Sequence, residues 1–359
     1  MSNIPIYQPY IASNQIAYVN ECLEENWISS RGRFIKQFED SLKGYVGCPE
    51  LTTCSNGTVA LHLALLALNI SPGDEVIVPS FTYIASVNAI KYVGAIPVFV
   101  DIDINDWNIS IADIEKKISN KTRAIMCVHM YGAPCKVEEL VKISKHHNLF
   151  LIEDCAESFG SWIENSHTGT FGDIATFSFF GNKTITTGEG GAVFSNNKDL
   201  IQKVAHLKNQ AILADGSYQH DEIGYNYRMT NIQAAIGCAQ LEDIEIILNL
   251  KRLIANRYRD LLRGIVDFQN FKVNTTSNWI VTILLSSIHE RDVVFRKLSQ
   301  QHVETRPGFP LVHKMKCYES LHPIHLEVSE RISSRAICLP SFPDLTKEQQ
   351  DFIISTIKN

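Results

Sequence analysis

Between about residues 51 and 200, short apolar stretches alternate with longer segments whose apolar residues recur at helical spacing. The apolar stretches predict strands at residues 51–54, 75–79, 96–100, 124–128 and 149–152. The segments between them predict helices at residues 56–69, 83–93 and 136–147. Alternation of this kind predicts a mostly parallel sheet covered by helices on both faces, which is an α/β fold.

After residue 200 the alternation weakens. Residues 230–263 predict one long helix or two abutting helices, and further helices are expected at 290–301 and 348–357, with strands at 279–285 and 303–305. A chain of 359 residues is long for one core, since domains average about 150 residues. We therefore expect a large α/β domain over residues 1–245 and a smaller C-terminal α+β domain over residues 246–359, with the boundary near 240–265.

The ends of the predicted strands carry most of the candidate chemistry. Ligands bind such sheets outside the carboxyl ends of the strands. This rule selects residues 55–58, 80–83 and 154–157, together with Asp101 and Asp103, before any reaction is considered.

Composition and charge narrow the class of protein. Apolar residues make up 45% and charged residues 20%, as in globular proteins, and the net charge of −6 argues against a general nucleic-acid binder. The nine cysteines are scattered and form no C-x-x-C, which favours reduced thiols. The first residues lack the features of a signal peptide, and no apolar run approaches the roughly 20 residues that span a bilayer. We expect a cytoplasmic protein that does not enter a membrane.

A single lysine, Lys183, lies among aromatic, hydroxyl and glycine residues in the segment 176–191. A poorly solvated lysine binds its proton less tightly and can act as a nucleophile. The alternative is a surface lysine in a glycine-rich hairpin. The segment is not a P-loop, because Asn182 precedes the lysine, and it is not a dinucleotide fingerprint, because Val193 replaces the third glycine.

Three further segments supply what a pyridoxal phosphate (PLP) site needs. Residues 55–58 join a strand to a helix, so they either bind a phosphate at the helix N-terminus or only cap the helix. A carboxylate within 153–157 can pair with a protonated pyridine nitrogen, or else cap a helix or bind a metal. No spaced His/Cys cluster supports a metal. Phe81 or Tyr83 can stack on a flat ring or simply pack.

Several segments of the sequence resemble a known family. Residues 178–191 (SFFGNKTITTGEGG) and 224–231 (GYNYRMTN) resemble the DegT/DnrJ/EryC1/StrS family of sugar aminotransferases. Further matching stretches are residues 27–30, 55–67, 73–79, 153–157 and 339–342. The likeness covers nearly the whole chain and is most specific around Lys183.

The resemblance implies a fold, a cofactor and an assembly. The fold is the aspartate-aminotransferase fold (type I), and the assembly is a homodimer with shared active sites. The cofactor is pyridoxal 5'-phosphate, with pyridoxamine phosphate (PMP) carrying the amino group between the two substrates. L-glutamate is the usual amino donor, and a keto-sugar is the acceptor.

The resemblance also implies roles for particular residues. Lys183 holds the cofactor covalently and moves protons, and Asp154 pairs with its ring nitrogen. Other cofactor contacts and the expected substrate contacts are carried over by position: Tyr83 on the ring, Glu157 near the ring hydroxyl, Gly57, Thr58 and Ser178 at the phosphate, Asn226 at the phosphate of the neighbouring subunit, and Tyr227, Arg228, Arg306 and His313 at the substrate.

The sequence says least about which keto-sugar accepts the amino group. The best expectation is C4 of GDP-4-keto-6-deoxymannose, aminated for an O-antigen or capsule. Related enzymes often have aromatic residues where this chain has Gly308 and Pro310, and an arginine and an aromatic near Gly216 and Gln219. These departures leave open a smaller keto-sugar or keto-phosphate without a nucleotide. A PLP-dependent sugar dehydratase is disfavoured by Lys183, because the related dehydratase has histidine there. A non-catalytic PLP-binding regulator is disfavoured by the absence of a basic helix-turn-helix.

Overall fold

The structure, a computed structural model, describes residues 3–215, 217–271, 276–319 and 324–359. Its strands in chain order are β1 (Glu50–Cys54), β2 (Glu75–Pro79), β3 (Ile96–Val100), β4 (Thr122–Val128), β5 (Phe150–Asp154), β6 (Trp162–Ile163), β7 (Ser166–His167), β8 (Ile174–Ser178), β9 (Gly191–Ser195), β10 (Asp267–Phe268), β11 (Val281–Leu284), β12 (Arg306–Pro307) and β13 (Ala336–Leu339).

The helices lie between and after these strands. In chain order they are α1 (Gln15–Glu24), α2 (Arg33–Val46), α3 (Gly57–Ala67), α4 (Ala85–Tyr92), α5 (Ile111–Lys117), α6 (Val137–His147), α7 (Lys198–Lys208), α8 (Asn231–Glu242), α9 (Ile244–Leu261), α10 (Ile288–Gln300), α11 (Glu327–Arg335) and α12 (Lys347–Lys358). No helix among the described residues combines the length and the apolar character that a bilayer crossing requires.

Seven strands form the larger sheet, in the order β1-β9-β8-β5-β4-β2-β3. Only β9 runs against the others in this sheet. The central strands β4, β5 and β8 are almost entirely buried, which explains their continuous apolar sequences. The carboxyl ends of the parallel strands therefore meet at one edge, and the sequence-based expectation of a mostly parallel α/β sheet is confirmed.

Helix α3 packs inside the layers rather than on the surface. Apolar residues surround it on nearly all sides, and most of them are buried, as expected for a helix enclosed by protein. Its first turn is fixed by Asn56, whose side chain accepts a hydrogen bond from the Val59 N–H at 3.0 Å. The N-terminus of α3 is thereby held at the same sheet edge as the end of β1.

A second sheet is smaller and wholly antiparallel, with strand order β10-β11-β13-β12. Helices α9, α10 and α12 contribute apolar residues to its core. The chain's N-terminal segment also joins this region, because Ile4 is buried in the same core and pairs with Val303. The division into domains at residues 245 and 246 stays a prediction.

Most predicted elements lie within two residues of the observed ones. The segment 230–263 forms two helices that meet at Asp243. The predicted strand at 303–305 is wrong: Val303 makes one isolated bridge to Ile4, and the strand that joins the sheet is Arg306–Pro307. His302 has a φ of 57°, so the backbone turns just before the apolar residue that suggested a strand.

Candidate active site

Lys183 lies in the loop between β8 and β9, at the edge where the parallel strands end. Its backbone carbonyl accepts a hydrogen bond from the Tyr7 hydroxyl at 2.5 Å, and its amine lies 4.0 Å from the centre of the Trp279 ring. Burial lowers the pKa of the Lys183 amine, and the Glu157 and Asp154 carboxylates oppose that shift. The structure thus brings the predicted lysine and both predicted acids together.

Asp154 ends β5 and faces the lysine. Its Oδ2 accepts a hydrogen bond from the Ser86 hydroxyl at 2.7 Å, and its Oδ1 accepts one from the Ala156 N–H at 3.1 Å. Burial raises the pKa of Asp154, while the Ser86 hydrogen bond acts in the opposite direction. These bonds fix the carboxylate in one orientation.

Glu153, the neighbouring acid, is turned to the opposite face of the sheet, as strand alternation requires. Its carboxylate accepts hydrogen bonds from the N–H groups of Gly169, Phe171 and Gly172 at 2.6–2.8 Å. It also lies 3.1 Å from His129 Nε2. With its lone pairs occupied in this way, Glu153 serves the fold, and Asp154 is the acid available to a ligand.

Glu157 is the second carboxylate beside Lys183. Its Oε2 accepts a hydrogen bond from the Tyr131 N–H at 2.7 Å. Tyr131 has a φ of 54°, a left-handed conformation that costs a bulky residue about 1–3 kcal/mol and is often found at functional sites. Burial raises the pKa of Glu157 to about 7, and the Lys183 amine opposes the shift. Near neutral pH this group can therefore hold or release a proton.

A cradle for an anion lies at the start of α3. The N–H groups of Gly57 and Thr58 precede the first helical hydrogen bonds and find no acceptor among the described residues. Ser178, at the end of β8, closes the other side. A Cβ atom at position 57 would lie 2.6 Å from the Ser178 Cβ, so only glycine lets these two segments approach so closely.

Tyr83 forms part of the rim and is 58% exposed. Its ring centre lies 6.0 Å from that of Phe309, and its backbone carbonyl accepts a weak hydrogen bond from Ser86 at 3.4 Å. Ser86 therefore contacts both Tyr83 and Asp154, which ties the predicted ring-stacking residue to the predicted ring-nitrogen partner.

Asn226, Tyr227 and Arg228 lie near the cradle rather than beside the lysine. The Tyr227 carbonyl accepts a hydrogen bond from the Ser55 N–H at 2.8 Å, and the Tyr227 ring packs near His62. The Arg228 guanidinium donates to Asn226 Oδ1 at 3.0 Å. Asn226 is exposed, and its contact with a cofactor of a neighbouring subunit stays a prediction.

Arg306 and His313 have different surroundings. Arg306 is exposed at the mouth of a cavity beside Lys183, and its nearest acid is Glu304 at 3.9 Å. His313 is buried, and its Nδ1 lies 2.6 Å from the Ser80 hydroxyl. Its Nε2 is buried without a partner among the described residues, and burial lowers the pKa of the ring. The contacts of His313 are with Ser80 and Phe99, and its role as a substrate contact stays a prediction.

The glycine at position 308 has a packing explanation. A Cβ atom there would lie 2.8 Å from the Ala336 Cβ, so a larger residue would displace β13. Gln219 contributes its carbonyl to a turn by accepting from the Leu213 N–H at 2.8 Å. Gly216 lies outside the described residues.

Sequence reasoning missed four residues that shape the site: Tyr7, Ser86, Tyr131 and Trp279. Ser86 follows a strand end by seven residues and was detectable only as a hydroxyl near the start of a helix. Tyr7 and Trp279 lie far from Lys183 in the chain, and no local pattern marks them.

The residues around Lys183 fit a pyridoxal phosphate. The cradle offers helix N–H groups to a phosphate, and Asp154 offers a carboxylate to a ring nitrogen. Two buried hydroxyls beside them, Thr176 Oγ1 and Thr184 Oγ1, have no hydrogen-bond partner among the described residues, as expected of groups that complete their bonding with a ligand.

Comparison with known proteins supports this interpretation. Residues 9–358 match the DegT/DnrJ/EryC1/StrS aminotransferase family. The chain is 51% identical to GDP-perosamine synthase of Escherichia coli O157:H7, covering 99% of this chain and 98% of that one. It is 46% identical to GDP-perosamine synthase of Vibrio cholerae, with the same coverage. A Streptococcus pneumoniae protein assigned as a sugar aminotransferase, solved in its PLP form, superposes with a TM-score of 0.93 at 27% identity, covering 99% of this chain and 98% of that one.

Proposed function

The chain belongs to the DegT/DnrJ/EryC1/StrS aminotransferase family, and from this premise we propose that it makes GDP-perosamine. The reaction moves the amino group of L-glutamate to C4 of GDP-4-keto-6-deoxymannose, as a step towards an O-antigen or capsule. The enzyme class is that of PLP-dependent sugar aminotransferases. Similarity to GDP-perosamine synthases over the full chain supports the choice of acceptor.

Lys183 is the residue on which the proposal rests. Bound PLP supplies an electron sink that stabilises negative charge at the substrate carbon. The Lys183 amine takes a proton from the donor's α-carbon and later delivers one to the sugar carbon. Its lowered pKa favours the unprotonated amine that a base needs. The single observation that carries this role is the buried position of the amine beside the Asp154 and Glu157 carboxylates.

The surrounding residues orient the reacting groups. Asp154, held by Ser86, would offer its carboxylate to the ring nitrogen of the cofactor. Gly57, Thr58 and Ser178 would hold the phosphate, and Tyr83 would cover the ring. Glu157, with its pKa raised to about 7, would exchange a proton with the ring hydroxyl near neutral pH. Tyr227, Arg228, Arg306 and His313 are the candidate substrate contacts.

A product assay tests the acceptor. Purified protein is incubated with L-glutamate and, separately, with GDP-4-keto-6-deoxymannose, a dTDP-linked 4-keto-sugar and the same keto-sugar without nucleotide. We expect an amine on the GDP-sugar, detected by mass spectrometry, and none with Lys183→Ala. Amination of only the dTDP-linked or nucleotide-free sugar would contradict the proposal.

We also propose that the enzyme is a cytoplasmic homodimer with shared active sites. Asn226 is exposed, and several apolar side chains near the site are exposed too, namely Trp27, Ile28 and Phe180. Mixing Lys183→Ala with Asn226→Ala chains tests sharing, because a mixed dimer has one intact site. Recovery of activity on mixing supports the proposal, and two inactive variants that stay inactive when mixed oppose it.

A further inference from the structure

Trp279 lies against Lys183, although it belongs to a distant part of the chain, just before β11 of the smaller sheet. We propose that Trp279 is a positioning residue for Lys183: its indole N–H fixes the backbone of the lysine loop, residues 179–190, and its ring face holds the free amine while the amino group resides on the cofactor. The inference rests on the proposed aminotransferase function and adds to it a residue that positions the lysine.

The first contact of Trp279 is with the backbone of the lysine loop. The Trp279 Nε1–H donates a hydrogen bond to the Asn182 carbonyl at 2.5 Å. The next carbonyl along the chain, that of Lys183, accepts one from the Tyr7 hydroxyl at 2.5 Å. Two successive peptide groups beside the reactive side chain are therefore held by side chains from outside the loop. Rotation of either peptide group would break a hydrogen bond.

The second contact of Trp279 is with the reactive amine itself. Lys183 Nζ lies 4.0 Å from the centre of the Trp279 ring. The face of an aromatic ring attracts a cation, tryptophan does so most strongly, and the attraction increases where water is excluded. Burial of this amine lowers its pKa, so the ammonium form needs a partner. The ring face therefore stabilises the form that Lys183 takes while it carries a proton.

The charged groups that act on the amine lie at or just after the carboxyl end of β5. The Glu157 and Asp154 carboxylates both raise the pKa of Lys183, against the effect of burial. With a cofactor bound, Asp154 would pair with the ring nitrogen and Glu157 would lie near the ring hydroxyl. Trp279 has no expected bond to the cofactor, so its ring face stays available to the ammonium group throughout the reaction.

Trp279 is itself held on several sides. Its carbonyl accepts a hydrogen bond from Lys251 Nζ at 3.0 Å, and its ring is stacked on that of Tyr131, with centres 6.4 Å apart and planes inclined by 19°. The preceding residue, Asn278, has a φ of 47°, a left-handed conformation that asparagine adopts more often than most residues. Trp279 is only 6% exposed. A ring fixed in this way can hold an amine in one place.

The alternative is that Trp279 only fills space, as buried tryptophans often do. The two roles have different consequences. Packing contributes to the free energy of unfolding, but it does not favour one protonation state of an amine over the other. Loss of a cation–ring contact does, and it should lower the pKa of the free Lys183 amine because the protonated form loses its partner.

Formation of the covalent link between Lys183 and PLP tests the proposal without a sugar. Cofactor-free, full-length protein is mixed with saturating PLP over about pH 6 to 10, and the rise in visible absorbance gives the rate. Only the unprotonated amine reacts, so the midpoint of the pH–rate profile reports the free lysine. The titration of PLP itself is the same for every variant and cancels in the comparison.

Two kinds of substitution separate the two contacts. Trp279→Phe keeps a ring and removes the N–H, so the limiting rate at high pH should fall roughly two- to tenfold while the midpoint stays near that of the wild type. Trp279→Leu removes both, so the midpoint should also move to lower pH. At a fixed pH below the midpoint, its rate as a fraction of the limiting rate should be roughly two- to tenfold higher than in the wild type.

Further variants control for folding. Trp279→Met has a flexible side chain that fills more of the space, and it should behave like Trp279→Leu if the leucine variant does not fold. Trp162→Leu is the matched control, because Trp162 packs on Tyr45 and His167 beside the β6–β7 hairpin. We expect its limiting rate and its midpoint to match those of the wild type.

The outcomes distinguish this inference from the proposed function. Equal midpoints in the wild type and in both variants without a ring would overturn the role of the ring face. An unchanged limiting rate in Trp279→Phe would overturn the role of the indole N–H. Failure of the wild type to form the visible species would instead refute the proposed function. The identity of the sugar does not enter, because the assay needs only the protein and PLP.

Discussion

The two sides of Lys183 differ in charge and in the segments of the chain that form them. On the cofactor side are two carboxylates, Asp154 and Glu157, and an anion cradle. On the cavity side are aromatic rings, Trp279 and Tyr131 among them, with one arginine at the mouth. Charge on the first side would set the electronics of a bound ring. The aromatic rings on the second side would position a ligand and exclude water from it. One buried amine thus has a polar wall on one side and an apolar wall on the other, as a base with a lowered pKa beside a charged ligand would require.

Replacing Lys183 by alanine should have the largest effect on activity, because the amine contacts the carboxylates on one side and the Trp279 ring on the other. We expect turnover to fall by about 10⁴-fold or more, since the base and the covalent link are lost together. The visible absorbance of the protein should also disappear after dialysis. Lys142→Ala, at an exposed position on α6, should retain both properties. A coloured, active Lys183→Ala protein would refute the role of the lysine.

Asp154→Asn tests the charged side with little change in shape. The ring nitrogen would lose its ionic partner while the Ser86 contact can persist, so kcat should fall by about 10²- to 10³-fold. Glu153→Gln serves as the comparison, because Glu153 faces the opposite side of the sheet. We expect it to reduce the stability of the fold more than the catalytic rate per folded molecule. Full activity of Asp154→Asn would assign the ring nitrogen to another acid.

A substitution of Lys251 tests the apolar side, because this lysine is fully buried and contacts the backbone of Trp279. Its Nζ donates to the carbonyls of Trp279 and Ser341, both at 3.0 Å. Among the described residues no carboxylate acts on its pKa, and burial is the cause of the shift. Lys251→Met would leave both carbonyls without this donor, at a cost of about 2 kcal/mol in the free energy of unfolding. Urea unfolding of the two proteins measures the difference.

The difference in unfolding free energy between the wild type and Lys251→Met should change with pH in a definite direction. Burial lowers the pKa of Lys251 to about 7, whereas an unfolded lysine has a pKa of about 10.4. Between these values the unfolded chain binds a proton that the folded chain has released, so wild-type stability rises with pH. From pH 7 to 9 the wild type should gain roughly 1 kcal/mol per pH unit relative to Lys251→Met. Parallel pH curves would show that Lys251 does not titrate in this way.

Tyr7→Phe should have the smallest effect. It removes one hydroxyl that donates to the Lys183 carbonyl and keeps the aromatic wall. One neutral hydrogen bond contributes about 0.5–1.5 kcal/mol, so we expect a loss of roughly two- to tenfold in kcat with unchanged cofactor binding. Tyr225→Phe, in an aromatic pair remote from the lysine, is the control. A loss as large as that of Asp154→Asn would make the apolar side as important as the charged one.

The charged side was predictable because its residues lie at, or a few residues after, the carboxyl ends of parallel strands. Once residues 51–154 predict a parallel sheet, the carboxyl ends of its strands must meet at one edge. The segments containing Gly57, Tyr83 and Asp154 therefore converge whatever the details of packing. The glycine-rich segment around Lys183 is equally local, and its residue types already indicate the chemistry.

The apolar side depends on contacts between residues far apart in the chain. Tyr7 and Trp279 reach Lys183 only because the N-terminal segment and the smaller sheet pack against the same loop. The resemblance already singled out Asp154, and the pleat of β5 in the sheet explains why Asp154 and not Glu153 faces the lysine. Local patterns specify elements and their ends, whereas long-range packing has no local signal, so the wall opposite the cofactor could be found only in the folded molecule.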